Sequence, residues 1–370
     1  MRLVITDKHL DLYFSFLKNL KQKNNIKLIV LLTYTIDPEL IQQFQKKSNA
    51  HIIVIYGAHN ANPLSKHKII YLKSHPTHGR MHAKALFAFT NLNFQFVVST
   101  NNLTKQKRSI NGYCLSKCFN KEPQIKSSKF KNDLIDFFSC FSDRIHFESN
   151  KVTKKIFNCS FINLIKSFNF KINDSKIKLI KSVPSICSKK QTGFLDVITK
   201  VPTCDKIIIQ PTVIGNNLDQ VLPSLVNLNK LKSSTLHILV PPLALESKLI
   251  QRRLLTTPKK YRKLFKKIDL KYIKKDLEPF VIHLKSIFGL KKNKIQFFAL
   301  TSTNLSKGAT GIFCCENNIV HLKKNFDKCY CSKNKCIKRF CTKNFELGIL
   351  FNCSLQQSNQ LKQILPFKIT

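Results

Sequence analysis

Apolar positions in this chain gather into short, unbroken runs set between longer polar stretches rich in lysine. Residues 27–32, Lys-Leu-Ile-Val-Leu-Leu, form one such run and read as a buried strand. Residues 38–44, beginning at Pro38, read as a helix, and residues 51–57 as the next strand. Two further runs, 85–89 and 94–98, continue the pattern across the turn-like Asn91-Leu92-Asn93. Strands that are apolar on both faces and alternate with helices imply an α/β layered fold whose sheet is largely covered.

The pattern restarts after a Ser/Pro/Lys-rich stretch at residues 182–191, with strand-like runs at 206–209, 236–240, 296–300 and 347–351. That punctuation places a division near residue 190. Residues 1–190 then form one half and residues 191–370 the other.

Each half carries one copy of a polar motif. The first is His82-Ala83-Lys84, an apolar strand, then Ser99-Thr100-Asn101-Asn102-Leu103. The second is His283-Leu284-Lys285, an apolar strand, then Thr301-Ser302-Thr303-Asn304-Leu305-Ser306. The distance from Lys to Asn is 18 residues in the first copy and 19 in the second. A single His-x-Lys pair means little in a chain this rich in lysine. Two copies at matched spacing predict that each half delivers an imidazole, an ammonium and a carboxamide to one point, with His and Lys on the same face of a strand.

That set suits cleavage of a phosphodiester. Charge spreads over the non-bridging oxygens in the transition state, and two ammoniums with two amides can clamp them. One imidazole can attack phosphorus while the other protonates the leaving oxygen and then activates water. Imidazole fits both tasks because it titrates near neutral pH. No metal or cofactor is called for by this chemistry.

Paired His-x-Lys motifs with a following Asn resemble the phospholipase D superfamily. Members of its main branch carry an Asp five residues after the Lys, where this chain has Phe89 and Leu290. The tyrosyl-DNA phosphodiesterase branch lacks that Asp, and local phrases of this chain are similar to it. They are residues 301–307, Thr-Ser-Thr-Asn-Leu-Ser-Lys; residues 344–351, Asn-Phe-Glu-Leu-Gly-Ile-Leu-Phe; and, more loosely, residues 210–216, Gln-Pro-Thr-Val-Ile-Gly-Asn. The resemblance implies two similar α/β/α layered domains with mixed sheets, related by a pseudo-two-fold axis. It also implies hydrolysis of 3′-phosphotyrosyl DNA bonds left by stalled topoisomerase I, through a phosphohistidine intermediate. Other 3′ adducts, RNA ends, or a non-catalytic nucleic-acid-binding role are the alternatives.

Carried over by position, the resemblance makes His82 the nucleophile and His283 the general acid and then base. Lys84, Lys285, Asn102 and Asn304 would hold the phosphoryl oxygens, and Glu346 would fix the tautomer of His82. The amide that orients His283 is either Asn111 or Gln106. Substrate contacts fall on His78, a stacking position or a solvated loop His; on Thr212 and Asn216, matching phosphate-binding serines; and on Tyr34, near the scissile linkage or simply core.

Composition refines the partner. Lys and Arg number 63 against 20 acidic residues, a formal net charge of +43, which favours nucleic acid. Lys, Asn, Ile and Phe are abundant together and Trp is absent, a profile of AT-rich coding that inflates lysine without selection for binding. The charge therefore supports a DNA substrate bearing a 3′-linked tyrosine or peptide without establishing one. The 13 cysteines are an odd number with no evenly spaced framework, which suits a reducing compartment. Cys329, Cys331, Cys336 and Cys341 are either a structural zinc set or part of a lysine-rich insert. The basic run at 259–267 reads as a nuclear address, a DNA-backbone contact or the solvated face of a helix. With no signal-peptide core and no apolar stretch of membrane-spanning length, a soluble, monomeric nuclear protein is the expectation.

Overall fold

The computed structural model describes residues 1–23, 25–57, 68–74, 79–104, 109–122, 128–144, 161–188, 201–214, 235–240, 267–272, 281–304, 309, 312–315, 338–342 and 344–365. Its strands in chain order are β1 (Arg2–Thr6), β2 (Ile26–Thr33), β3 (His51–Tyr56), β4 (Ile69–Lys73), β5 (Arg80–Met81), β6 (Ala85–Thr90), β7 (Asn93–Ser99), β8 (Ser109–Leu115), β9 (Phe119–Asn120) and β10 (Ile177–Ser182). They continue as β11 (Ser185–Ser188), β12 (Lys206–Gln210), β13 (Thr235–Val240), β14 (Lys267–Tyr272), β15 (Val281–Ile282), β16 (Ser286–Lys291), β17 (Lys294–Thr301), β18 (Ile312–Cys315), β19 (Lys338–Thr342) and β20 (Asn344–Asn352). The helices are α1 (His9–Lys23), α2 (Pro38–Ser48), α3 (Lys129–Arg144), α4 (Ile162–Lys166) and α5 (Leu355–Ile364).

Two mixed sheets repeat one plan. The first runs β1-β8-β7-β6-β2-β3-β4, and the second runs β10-β20-β17-β16-β12-β13-β14. In both, the last two pairings are parallel and the others antiparallel. This one-to-one match is the pseudo-two-fold relation. The chain passes to the second sheet already at β10, ahead of residue 190, because Ile177–Ser182 pairs with β20.

The two short strands break the separation of the halves. β5, from the first half, pairs parallel with β20 of the second sheet, and β15, from the second half, pairs parallel with β8 of the first. Each half thus lends a two-residue strand to the other.

β2 is apolar from Leu28 to Leu32 because both of its faces are covered there. Ile29 and Leu31 pack with Tyr13, Phe16, Leu17 and Leu20 of α1 and with Leu40, Ile41 and Phe44 of α2. Val30 and Leu32 face a second core built largely from phenylalanine, including Phe87, Phe89, Phe94 and Phe96 with Phe137, Phe138 and Phe141 of α3. α2 starts where it does because Asp37 accepts hydrogen bonds from the Glu39 and Leu40 N–H groups, with Pro38 occupying a first-turn position that has no N–H to satisfy. Asn49, at φ 55°, ends it.

The phenylalanine core continues into the second sheet through Phe288, Phe298, Leu300 and Phe345, so one apolar interior spans both halves. Phe89 stacks on Phe94 at 4.5 Å and Leu290 is buried, so the two places where the phospholipases carry Asp are core positions here. At the seam Gly112 admits the other half: a Cβ there would lie 2.3 Å from Leu300 Cδ1 and 2.5 Å from Leu284 Cδ1.

Candidate active site

The paired motifs sit at the exchanged strands. The pattern predicts His and Lys within one strand; the structure instead makes each His-x-Lys the link between two. The His82 N–H donates to the Phe345 carbonyl at 3.0 Å in the second sheet, while the Lys84 carbonyl accepts from the Ser99 N–H at 2.8 Å in the first. The second copy mirrors this: the His283 N–H donates to Ile110 O at 2.8 Å and Lys285 O accepts from the Thr301 N–H at 3.1 Å. Opposite ends of each motif pair with different sheets, which is why it cannot be a strand of either.

The loops after β7 and β17 are also built alike. The Asn101 N–H donates to Ser99 Oγ at 2.9 Å and the Thr303 N–H to Thr301 Oγ1 at 3.1 Å. Thr100 exchanges two hydrogen bonds with the Gly112 backbone, and Ser302 does the same with Leu347, all four at 3.0 Å. The residues just before those partners, Asn111 and Glu346, therefore occupy equivalent places, and both are fully buried.

Glu346 faces His82. Nδ1 of His82 lies 2.9 Å from one carboxylate oxygen and 3.0 Å from the other. Ser302 Oγ also donates to Oε2, and Asn344 Nδ2 donates to Oε1 at 3.1 Å. Burial alone would push the carboxyl up, but His82, Lys84 and the hydrogen bonds from His82 and Ser302 outweigh it and hold Glu346 below its usual range. His82 is also held below the ordinary imidazole range, first by burial and then by the two lysines, against the pull of Glu346. Both directions favour a neutral imidazole beside a carboxylate.

Both lysines are about 1% exposed. Lys84 Nζ donates to the His82 carbonyl at 2.6 Å and titrates at about 8, lowered chiefly by burial. Lys285 Nζ donates to the carbonyl of Thr100, in the other half, at 3.1 Å, and lies 3.1 and 3.3 Å from the two ring nitrogens of His283. Burial and Lys84 hold Lys285 well below its ordinary value. Burial, Lys285, Lys84 and His82 together depress His283 well below its own. Charges from one half thus act directly on groups of the other, and His82, Lys84, His283, Lys285 and Glu346 form one cluster. Two buried lysines against one buried carboxylate among the described residues make every proton they hold costly, the condition that favours an anionic guest.

The amides Asn102 and Asn304 lie on the loops that follow β7 and β17. Asn304 Oδ1 accepts from the Val213 N–H at 3.2 Å, which turns its Nδ2 the other way. Asn102 Oδ1 and Asn111 Oδ1 are buried and have no hydrogen-bond partner among the described residues, while Asn111 Nδ2 donates to Ser109 O at 2.8 Å and Oγ at 2.9 Å.

Two of the four substrate-contact candidates are described. The Tyr34 ring lies 5.3 Å from the His82 ring. Thr212 is buried, its hydroxyl without a partner among the described residues, and it follows β12 as Tyr34 follows β2. His78, Asn216 and Gln106 lie outside the described residues, as do Cys329, Cys331 and Cys336; the backbone of Cys341 belongs to β19. Among the described residues no group of His, Cys, Asp and Glu is placed to hold a metal ion. Ser302 and Asn344 were not singled out by the sequence, although Ser302 and Thr100 stand two residues before the paired Asn304 and Asn102 and so carried a signal.

No curated protein matches the chain in a direct sequence comparison. A family model for tyrosyl-DNA phosphodiesterase, however, matches residues 12–252. The chain belongs to that family. It is accordingly a phosphodiester hydrolase, and the matched residues include the first His-x-Lys-Asn set.

Solved structures agree on the fold. A His-to-Asn mutant of yeast tyrosyl-DNA phosphodiesterase is similar over 95% of this chain and 90% of that one, with a TM-score of 0.62 at 15% identity. Another structure of the yeast enzyme covers 89% and 84%, with a TM-score of 0.58 at 14% identity. Phosphatidylserine synthase from Haemophilus influenzae covers 98% and 85%, with a TM-score of 0.52 at 12% identity. At these identities the likeness speaks for the shared two-sheet architecture.

Proposed function

We propose that this tyrosyl-DNA phosphodiesterase family member hydrolyses 3′-phosphotyrosyl DNA bonds of the kind left by stalled topoisomerase I. In this reading it acts in nuclear DNA repair as a monomer, without metal or cofactor. The observation that carries the reading is the contrast between the histidines: His82 bonds a buried carboxylate, whereas His283 has lysine beside it and an amide, Asn111, in the matching place.

Glu346 accepts the Nδ1–H of His82, which leaves the lone pair on Nε2 to attack phosphorus. As the N–P bond forms, the ring becomes an imidazolium that Glu346 stabilises. The P–O bond to tyrosine breaks, and His283 gives its proton to the phenolic oxygen. Phenol, with a pKa near 10, needs only that one acid. The bound diester supplies the negative charge that lets His283 and both lysines hold their protons. His283, now neutral, takes a proton from water; the hydroxide attacks phosphorus, the P–N bond breaks, and neutral His82 departs. The products are a 3′-phosphate end and tyrosine or a short peptide. Lys84 and Lys285, with Asn102 and Asn304, hold the non-bridging oxygens throughout. In this reading Asn111, in the place that matches Glu346, is the group that orients His283, whose ring in this structure has Lys285 Nζ and the Thr100 backbone beside it.

Purified protein is expected to cleave a 3′-phosphotyrosyl oligonucleotide in excess EDTA. His82→Ala abolishes cleavage, and His283→Ala lets a covalent protein–DNA species build up. Activity that appears only when a divalent metal is added overturns the mechanism.

A further inference from the structure

Beyond His82, two neutral donors reach the Glu346 carboxylate, Ser302 Oγ and Asn344 Nδ2. They come from different places. Ser302 lies on the loop after β17; Asn344 begins β20, two residues before Glu346 and so on the same face of the strand. Ser302 is itself locked, since its N–H bonds Leu347 O and its Oγ accepts from the Leu347 N–H. Its hydroxyl hydrogen is left for the carboxylate. Asn344 is held beside the motif by its pairing with Arg80 in β5.

We propose that Ser302 and Asn344 are positioning residues that set the basicity of His82 by sharing the charge of Glu346. The proposal rests on His82 being the nucleophile. A buried carboxylate with His82 as its sole partner would draw the ring into its charged form, which has no lone pair to attack phosphorus. Spreading the carboxylate's charge over a hydroxyl and an amide weakens that pull while keeping the Nδ1–H bond that aims the ring.

The other half has no carboxylate in this place and holds its amide from one side only. Ser109, two residues before Asn111, takes the place of Asn344 and fixes Asn111 Nδ2 through its carbonyl and hydroxyl. Thr100 shares the backbone lock of Ser302, but its hydroxyl accepts from the Gly112 N–H and does not reach Asn111, so the pair of donors on one orienting group belongs to Glu346.

The test is an NMR titration of the His82 imidazole in histidine-labelled protein, with His82→Asn to assign the signal. Ser302→Ala is expected to raise the His82 pKa by about one unit, the shift that one hydrogen bond to a charged group produces. Asn344→Ala raises it in the same direction by less, and it carries the test if Ser302→Ala fails to fold. Ser302→Thr restores the wild-type titration. The acidic limb of kcat/KM on a 3′-phosphotyrosyl oligonucleotide moves up with the titration. An unchanged His82 titration in folded alanine variants overturns the proposal. A titration that moves in a protein inactive even as wild type overturns the nucleophile reading and leaves the grip on Glu346 standing.

Discussion

Asn111 stands in the first half where Glu346 stands in the second, each one residue before a backbone position locked to a hydroxyl of the facing loop. The two halves share a frame but not a charge, and in the proposed mechanism this difference separates the roles of the two histidines. Asn111→Ala is expected to slow turnover about tenfold, the low end for losing a group that orients an imidazole. The loss falls on the second step, because a phenolic leaving group needs little acid help. Rapid-quench gels should therefore show more covalent intermediate than in wild type; an unchanged steady-state fraction would contradict the assignment.

Glu346→Gln keeps the shape and removes the charge. About a hundredfold fall in kcat is expected, as His82 loses both its fixed tautomer and the stabilisation of its charged intermediate. The buried lysines also lose the anionic neighbour that favours their protonated form, so the melting temperature drops as well. Single-turnover rates on a phosphotyrosyl oligonucleotide, read beside thermal melts, separate the two effects.

Lys84 titrates at about 8 in the folded protein, below the ordinary 10.5. Between those values the unfolded chain holds a proton that the folded one has released, so this group makes stability rise with pH across that window. An anion bound beside Lys84 favours the protonated ammonium. Binding of inorganic phosphate at about pH 9 is therefore predicted to take up a proton. Calorimetry in two buffers of different ionisation enthalpy reads this directly, and identical heats would exclude it.

Gly57 lies under the Tyr34 ring. A Cβ there would come 2.2 Å from the carbonyl oxygen of Met81, the residue before His82, and 2.7 Å from Tyr34 Cδ2. The backbone oxygen cannot step aside cheaply. Gly57→Ala should cost about 1–3 kcal/mol of stability, as overpacking does, and lower kcat by displacing His82. Denaturant melts and steady-state kinetics would reveal it; a variant as stable and as active as wild type would show the contact to be soft.

Much of this arrangement is legible along the chain because it depends on local signals. Unbroken apolar runs marked β2, β3, β6 and β7, and the paired spacing of Lys84 to Asn102 and Lys285 to Asn304 marked the repeat. What escaped is non-local. Nothing in Arg80-Met81 or Val281-Ile282 announces that those pairs join the opposite sheet, since two residues carry no periodicity. β10 hides for a related reason: Ile177–Ser182 runs into the Ser/Pro/Lys-rich stretch that reads as a boundary, and only its pairing with β20 assigns it. Asn344 and Ser109 gain meaning only once the strands are aligned, because each acts on a neighbour two residues away whose importance comes from across the seam. Asn111 could be named as a candidate beside Gln106, and its match to the register of Glu346 is visible only in the folded chain.

The borrowed strands β5 and β15 bear on how the molecule fails. Each histidine hangs by its backbone from the half it does not belong to, so a severed or singly expressed half would keep its motif but lose the rail that holds it. Prising the halves apart would release both imidazoles in the same event. Inactivation by heat or denaturant should therefore be all-or-none, with no species in which one histidine is in place and the other adrift.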